Sequence, residues 1–214
     1  MKFSDGYWLT APGYDLFYAS EPYEIDVHEH SIHVLATQNL TNRGQTLGGP
    51  VLDVYFSSNL ENTIKVKVEH YRGAKKKAPE FQLYEDASFA PVTVETDEYA
   101  ELISGKTRVR INKGKTWDIQ YFYEDKLLTK EGWRSTSYIT EDPYHTRARM
   151  LKQENFNRFF AFDQDEATAY TRGQLNLSVG ESIYGFGEKF TTFVKNGQNV
   201  EVWNADGGTC TDYT

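Results

Sequence analysis

The chain has 214 residues, of which 15% are aromatic and 25% are charged, and its formal net charge is −8. This length can bury a substantial hydrophobic core, and the aromatic content excludes an intrinsically disordered chain, which would be poor in such residues. The acidic balance excludes nucleic acid as a partner, because phosphate binding needs a basic surface.

The cysteine and hydropathy patterns bear on the cellular compartment. Cys210 is the single cysteine, so no disulfide can form within the chain. The sequence shows no apolar leader segment and no long apolar run. We therefore expect a reducing, cytoplasmic location and no membrane partner.

The predicted elements follow from alternation of apolar and polar residues, which places every second side chain on the same face of a strand. Ile25–Val27 and Ile32–Val34 are interpreted as two strands joined by a short polar turn. Further alternating segments predict strands at Ile64–Glu69, Val92–Val94, Val109–Ile111, Trp117–Tyr123 and Leu175–Val179. Turn signals separate them, at Asn42–Gly44, Gly48–Pro50, Asn112–Gly114 and Glu124–Asp125.

The number and spacing of these segments decide the fold class. About a dozen candidate strands of roughly 4–8 residues have the spacing of a sandwich or barrel. Residues 146–160 come nearest to a helix, but Phe156, Phe159 and Phe160 do not form a helical stripe. Strands with one buried face need a second sheet to cover them. We predict an all-β fold with little helix, built as one antiparallel β-sandwich.

Histidines provide one candidate metal site, in the run His28-Glu-His30-Ser-Ile-His33. Two histidines that share a face of a strand can bind zinc. This run, however, straddles a predicted hairpin turn, where solvated polar residues are expected, and no cysteine or further histidine follows closely enough to complete a closed site. We therefore interpret these residues as part of a turn and predict no metal.

The most informative segment is the glycine-rich run Tyr184–Phe190, followed by Val202–Thr209. Its glycines predict shaped loops. A dinucleotide or phosphate loop is excluded, because the third glycine that opens a helix and the P-loop lysine with its Ser/Thr are missing. Glu188 suits loop-holding hydrogen bonds better than ligand contact, and Trp203 suits the core better than a platform. Ligand contact and a turn-stabilising role suit Asp206 equally.

These motifs carry a family likeness. Tyr184-Gly-Phe-Gly-Glu-Lys-Phe190, Asn196-Gly-Gln198 and Trp203-Asn-Ala-Asp-Gly-Gly208 resemble the end of the N-terminal β domain of family 31 glycoside hydrolases, in particular the bacterial α-xylosidase branch. Met1–Leu9 and Val66–Ala74 resemble that branch too. The likeness covers essentially the whole chain and is strongest near its C-terminal end.

The resemblance implies an architecture and a reaction. In that family a β-sandwich of the galactose-mutarotase-like supersandwich kind precedes a (β/α)8 barrel, so residues 1–214 are expected to form a single N-terminal domain that ends before the barrel. Hydrolysis in the family is retaining, and its two barrel aspartates need carboxyl groups about 5–5.5 Å apart. Neither aspartate motif occurs in this chain. We therefore expect no catalytic residue and no cofactor here, and no activity from the chain alone.

The resemblance also implies partners and site residues. The partners are the catalytic barrel of the same parent chain and an α-linked oligosaccharide substrate. The loop with the Trp-Asn-x-Asp pattern reaches over the barrel mouth in the family, which assigns substrate binding to Asp206, with Trp203 and Asn204 beside it. The implied loop-shaping residues are Gly185, Gly187, Glu188, Gly207 and Gly208.

The chain departs from the family pattern at four positions, which are Phe186, Lys189, Ala205 and Cys210. An arginine is common at positions 189 and 205, and its loss removes a bidentate hydrogen-bonding group. Fine specificity is therefore expected to differ from that of the family, while the family assignment is unaffected.

Two other functions stay open from the sequence. A stand-alone carbohydrate-binding module would bind sugar through an exposed aromatic platform. A self-sufficient mutarotase-like enzyme would need histidines and a carboxylate on the concave face of one sheet, which the scattered histidines disfavour. If the sandwich continues past Thr214, an unpaired strand edge would favour a homo-oligomer.

Overall fold

The computed structural model describes residues 3–5, 9–70, 86, 88–142, 168–187, 191–200 and 202, the side chains of Ser4 and Asp5 excepted. These residues contain fourteen strands and one short 3-10 helix, Arg43–Leu47. In chain order the strands are β1 Ser4–Asp5, β2 Leu9–Thr10, β3 Tyr14–Tyr18, β4 Glu21–Val27, β5 Ser31–Thr37, β6 Leu52–Ser57, β7 Lys65–Glu69, β8 Val92–Glu95, β9 Tyr99–Ser104, β10 Thr107–Asn112, β11 Ile119–Tyr123, β12 Lys126–Glu131, β13 Ser137–Glu141 and β14 Thr168–Arg172.

Contacts divide the chain into two compact units, Asp15–Asn176 and Met1–Tyr14 with Leu177–Thr214. In the smaller unit β1 and β2 form a two-stranded antiparallel ladder. The Phe3 ring meets Tyr14 edge-on, with centroids 5.2 Å apart. The prediction of a single domain over residues 1–214 stays a prediction.

One layer of the larger unit is a four-stranded antiparallel sheet in the order β4-β5-β6-β7. Strands β5 and β6 alternate buried and half-buried side chains, as a strand with one covered face must. Their register pairs Ile32 with Phe56 and Val34 with Val54. All four side chains are fully buried, so this row forms one wall of the core.

The facing layer is a five-stranded antiparallel sheet in the order β12-β11-β10-β9-β8. Leu102 on β9, Val109 on β10 and Ile119 on β11 point to its covered face and are fully buried. These residues share one hydrophobic cluster with the apolar row of β5 and β6 and with the buried Trp117. Two antiparallel sheets that enclose one core confirm the predicted all-β sandwich.

A three-stranded sheet in the order β14-β13-β3 completes the larger unit. The side chain of Glu141 on β13 is fully buried and accepts a hydrogen bond of 2.7 Å from the Tyr170 hydroxyl on β14. A buried carboxyl group requires such a donor, because its desolvation is otherwise costly. Among the described residues, no helix has the length and apolar character needed to cross a membrane.

The predicted strands near residues 64, 92, 109 and 119 are confirmed within a residue or two at their ends, and those predicted at Ile25–Val27 and Ile32–Val34 are confirmed as parts of the longer strands β4 and β5. The strand predicted at Leu175–Val179 is wrong, since residues 173–178 form no regular strand. Asn176 bonds to β12, donating its amide to the Lys130 carbonyl at 3.2 Å and accepting from Thr129 Oγ1 at 2.7 Å, but Leu175 and Leu177 are exposed. Alternation therefore occurs here without a covered face. The region 146–160 lies outside the described residues.

Candidate functional site

The predicted site divides between described and undescribed residues. Asp206, Trp203 and Asn204, assigned to substrate binding, lie outside the described residues, as do the loop-shaping Glu188, Gly207 and Gly208. Gly185 and Gly187 lie inside them, within the segments 177–187 and 191–200 of the smaller unit. The structure therefore shows the loop framework that precedes the predicted substrate residues.

The backbone of this framework turns through three successive residues with positive φ. The φ angles are +102° at Gly185, +69° at Phe186 and +79° at Gly187. Glycine enters this region freely, whereas an L-residue such as phenylalanine does so at a steric cost. A Cβ atom added to either glycine would meet no described atom within 4 Å. The backbone angle, and not close packing, is what these glycines supply.

A polar network joins the two segments of the framework. The Ile183 amide donates to Asn196 Oδ1 at 2.8 Å, while Asn196 Nδ2 donates to the Glu181 carbonyl at 2.9 Å. The Lys195 amide donates to the Ile183 carbonyl at 2.8 Å. Asn196 thus substitutes for a strand partner, which explains how residues 181–183 are held without lying in a sheet.

The buried side chain of Lys195 holds the segment 191–200 through hydrogen bonds to residues of that same segment. Its side chain is only 7% exposed, and its Nζ donates to Thr191 Oγ1 at 2.6 Å and to the Thr192 carbonyl at 2.7 Å. Both acceptors are neutral, and none of the described acidic residues forms an ion pair with it. Gln198 adds hydrogen bonds to Thr192 Oγ1 and to the Val194 carbonyl. The side chains of Lys195 and Gln198 therefore pair the Thr192 and Val194 carbonyls of their own segment.

Three aromatic side chains of this framework are exposed. The rings of Tyr184 and Phe193 meet with centroids 5.1 Å apart, and both side chains remain largely exposed. Phe186, between the two glycines, is exposed as well. We call Tyr184, Phe186 and Phe193 the aromatic cluster.

The histidines of the larger unit are placed as turn and cross-strand residues. The His28 amide donates to the Ser31 carbonyl at 2.8 Å, which closes the predicted hairpin turn between β4 and β5. His33 Nε2 lies 2.8 Å from Asp53 Oδ1 and its Nδ1 lies 3.4 Å from Asp26 Oδ2. Its ring stacks on Tyr55, with centroids 4.6 Å apart. Both ring nitrogens of His33 thus already face carboxyl oxygens.

No metal centre is formed by the part of the chain that the structure describes. Within it, no group of three or more His, Cys, Asp or Glu residues could hold a metal ion. His30 Nδ1 instead lies 3.0 Å from the Pro91 carbonyl.

Glu131, which sequence reasoning missed, is the centre of a buried hydrogen-bond network. Its carboxyl group accepts from Trp117 Nε1 at 3.3 Å, Tyr121 Oη at 2.6 Å and Thr136 Oγ1 at 2.7 Å. Burial of the Tyr121 ring, together with the nearby negative charge of Glu131, raises the pKa of the Tyr121 hydroxyl well above its usual range. The alternation of Trp117, Ile119 and Tyr121 was the available signal, since it places all three on one face.

Glu101 is, with Glu131 and Glu141, one of three buried glutamates among the described residues of the larger unit. Arg110 Nε donates to its Oε1 at 2.7 Å, and Arg108 Nε lies 3.6 Å from the same atom. The Arg110 guanidinium also lies over the Tyr99 ring, 4.0 Å from its centroid. Two arginines therefore neutralise Glu101 on the outer face of the five-stranded sheet. Both Glu101 and Glu131 are engaged with protein partners.

Comparison with known proteins adds family evidence. The model of the glycosyl hydrolase 31 N-terminal galactose mutarotase-like domain matches residues 52–214. An α-xylosidase of Emericella nidulans is 30% identical over 220 residues, which cover 99% of this chain and 27% of that protein. Alpha-xylosidase XylQ of Lactiplantibacillus pentosus is 30% identical over 210 residues, which cover 98% of this chain and 24% of that protein.

A solved structure shows a similar fold. The family 31 dextranase of Flavobacterium johnsoniae superposes with a TM-score of 0.54 at 14% identity, covering 88% of this chain and 19% of that one. The chain thus spans about a quarter of the length of the curated relatives that it matches.

Proposed function

The chain belongs to the family of glycosyl hydrolase 31 N-terminal galactose mutarotase-like domains, and on that premise we propose that it serves a retaining, α-xylosidase-like parent enzyme. It supports the catalytic barrel of that parent and contributes a loop with Asp206 to the substrate site. The observation that carries this proposal is the 30% identity along nearly the whole chain to two α-xylosidases that are about four times longer.

The contacts of the described residues support a scaffold role. A retaining glycosidase needs two carboxyl groups about 5–5.5 Å apart and accessible to the sugar. Glu131 is buried and accepts three hydrogen bonds, and Glu101 is buried against two arginines. Neither group is free to act as nucleophile or as acid. The chain by itself is therefore proposed to be inactive.

The loop framework supports the role proposed for Asp206. Asn196 and Lys195 hold the segments that precede Asp206 through hydrogen bonds within the smaller unit. A loop anchored in this way loses less freedom when it orients a substrate. The Asp206 carboxylate accepts hydrogen bonds from sugar hydroxyls, with Trp203 and Asn204 beside it, and takes no part in breaking the glycosidic bond.

Compartment and partners follow from the same proposal. The substrate is an α-linked oligosaccharide with terminal xylose, and the single Cys210 suits a reducing cytoplasm. Self-association through an unpaired strand edge is the expected route to a homo-oligomer.

The test uses the full-length parent enzyme and a nitrophenyl α-xyloside. Loss of a hydrogen bond to a charged group costs about 1.5–3 kcal/mol, so Asp206→Ala is expected to lower kcat/KM by about 10–100-fold. Asp97→Ala, at an acidic position in the larger unit, is the control and leaves kcat/KM unchanged. Hydrolysis by the 214-residue chain alone that survives Asp206→Ala would falsify the proposal.

A second candidate, a stand-alone carbohydrate-binding module, is favoured by one observation. Trp133 lies between β12 and β13 with its side chain 44% exposed, and the Tyr18 ring lies 6.3 Å from it. The Arg134 guanidinium covers the Trp133 ring at 4.4 Å. A sugar would stack on the remaining aromatic surface, as amphipathic rings allow.

Calorimetry separates this second candidate from the first. Titration of the chain with millimolar xyloglucan oligosaccharide would give saturable heat that Trp133→Ala abolishes and Leu47→Ala preserves. Absence of heat from the unaltered chain would rule out the binding module and leave the scaffold proposal standing.

A further inference from the structure

Asn196 is the only asparagine of the sequence that a glycine follows. A glycine has no Cβ atom, so its backbone nitrogen is not shielded from the side-chain amide of the preceding asparagine. Such a pair favours deamidation, in which that nitrogen attacks the amide carbon and ammonia leaves. Asn199, by contrast, precedes the β-branched Val200. The peptide bond between Asn196 and Gly197 is therefore where the sequence favours this reaction most.

A tight turn contains this peptide bond. The Gln198 amide donates to the Lys195 carbonyl at 3.0 Å, which closes a four-residue turn around Asn196 and Gly197. Gly197 has a φ of +74°, as the third position of a type II turn requires. Its own amide donates to no acceptor in the part of the chain that the structure describes. The attacking nitrogen therefore gives up no such bond when it reacts.

The side-chain amide of Asn196, which is the group under attack, is held by another segment. Its Oδ1 accepts from the Ile183 amide at 2.8 Å, and its Nδ2 donates to the Glu181 carbonyl at 2.9 Å. Ring closure onto the Gly197 nitrogen turns the amide away from these partners and breaks both bonds. The two bonds that join the segments of the loop framework therefore also slow the reaction.

We propose that Asn196 is a site of spontaneous deamidation, and that this reaction opens the joint between residues 181–183 and 195–196. The Gly197 amide loses its proton to solvent hydroxide, and its nitrogen attacks Cγ of Asn196. The Cγ–Nδ2 bond breaks, and the Nδ2 group takes a proton from water and leaves as ammonia. Water then opens the resulting succinimide ring at either carbonyl, which gives aspartate or isoaspartate.

The products cannot reproduce the contacts of Asn196. An aspartate carboxylate has no hydrogen to donate, so the Glu181 carbonyl loses its partner and faces a second acceptor. Isoaspartate also adds a carbon atom to the main chain inside the turn that the Gln198 amide closes. An acceptor that loses its donor destabilises the contact it formed. The loop framework therefore loosens as the protein ages.

The test of the reaction is to age the full-length parent enzyme at neutral pH and to map its peptides by mass spectrometry. The peptide that contains residues 191–200 should gain the mass of one deamidation at Asn196, while Asn199 stays intact. Unfolding in urea removes both side-chain bonds, so the folded enzyme should react about 10–100-fold more slowly than the unfolded one. A folded enzyme in which Asn196 reacts no faster than Asn199 would overturn the proposal, and equal rates in the two states would overturn the restraint by the loop framework.

Gly197→Asn separates the reaction from the fold. Asparagine tolerates a positive φ, and a Cβ atom at position 197 would meet no described atom within 4 Å, so the turn is retained. The added side chain shields the attacking nitrogen, and Asn196 should stay intact over the same incubation; an unchanged rate would contradict the mechanism. Gly114→Asn, where a Cβ also has room, is the matched control and should leave the reaction at Asn196 unaffected. Should Gly197→Asn not fold, the comparison of Asn196 with Asn199 in the unaltered enzyme decides.

Hydrogen exchange tests the consequence of the reaction. Asn196→Asp reproduces the aspartate product and should raise the exchange rates of the Ile183 and Lys195 amides at least about fivefold, since both belong to the joint. Asn199→Asp adds the same charge three residues away and should leave both rates unchanged. Unchanged exchange in Asn196→Asp would overturn the opening of the joint. Neither measurement depends on the reaction that the parent enzyme catalyses, so the outcome is independent of the proposed function.

Discussion

Removal of the Glu131 carboxyl group is expected to destabilise the sandwich strongly. Glu131→Ala leaves three donors without their acceptor, namely Trp117 Nε1, Tyr121 Oη and Thr136 Oγ1. Trp117 and Thr136 are buried, so water cannot replace the lost partner, and each orphaned donor costs about 1–3 kcal/mol. The variant also removes the desolvation cost of the buried carboxyl group, which offsets part of the loss. We expect the free energy of unfolding to fall by about 3–5 kcal/mol in total.

Urea denaturation of the 214-residue chain, followed by far-UV circular dichroism, measures this loss. With a slope near 2 kcal/mol/M, the midpoint should fall by about 1.5–2.5 M. Glu124→Ala is the matched control, because Glu124 pairs with Lys106 at 2.8 Å on the surface. An exposed pair contributes about 0–1 kcal/mol, so its midpoint should shift by less than about 0.5 M.

A double-mutant cycle tests whether the network, and not the cavity, is responsible. Tyr121→Phe removes only the hydroxyl that donates to Glu131 at 2.6 Å. Two groups in direct contact should show a coupling of at least about 1 kcal/mol in the cycle with Glu131→Ala. A total loss below about 1 kcal/mol, or a coupling near zero, would refute the reasoning.

Three further predictions concern the larger unit. Because the pKa of Tyr121 is raised in the folded chain, the folded chain holds the hydroxyl proton more tightly than the unfolded chain does, and the stability from this group is complete below pH 10. Above pH 10 the free energy of unfolding falls by about 1.4 kcal/mol per pH unit. Urea denaturation from pH 9 to 11 should show a shallower fall in stability for Tyr121→Phe than for the unaltered chain, and equal slopes would contradict this. Arg110→Ala leaves the buried Glu101 with the more distant Arg108 and should lower the free energy of unfolding by about 2–3 kcal/mol in urea denaturation. Lys106→Ala, which removes an exposed ion pair, should lower it by less than about 1 kcal/mol. Equal losses would show that burial of the Glu101 pair makes no difference. Gly105→Ala places a Cβ 2.6 Å from Asn62 Oδ1 at a backbone φ of +57° and should lower the free energy of unfolding by about 2 kcal/mol in a thermal melt. Gly114→Ala, whose Cβ would meet no described atom within 4 Å, should leave the stability nearly unchanged in the same assay.

Sheet-forming residues were predictable wherever alternation coincided with a covered face. Ile32 and Val34 alternate with polar neighbours and are fully buried, so the pattern and the packing agree. Leu175 and Leu177 alternate in the same way and are exposed, because sequence periodicity cannot reveal whether a second layer exists. Whether such a segment forms a strand therefore depends on contacts with a second layer and not on its local sequence pattern.

The backbone of the glycine-rich segment was predictable from the sequence, but its contacts were not. The glycines at 185 and 187 indicated an unusual backbone, and both have positive φ. Phe186 could not be assigned that conformation from sequence, since aromatic residues normally avoid it. The hydrogen bonds of Asn196 and Lys195 join residues that pattern reasoning treats separately. Glu131 was hidden for the same reason, because two of its donors, Trp117 and Tyr121, lie in an earlier chain segment and the third, Thr136, follows it.

The strand order of the larger unit has a consequence for synthesis on the ribosome. Both main sheets are meanders of consecutive strands, β4 to β7 and β8 to β12, so each can form from local contacts soon after it is translated. The first meander, however, leaves one face of Ile32, Val34 and Phe56 uncovered until the second has emerged, since the facing residues Leu102, Val109 and Ile119 all follow Val92. A translational pause between the two meanders would prolong that exposure and make the nascent chain a client for chaperones.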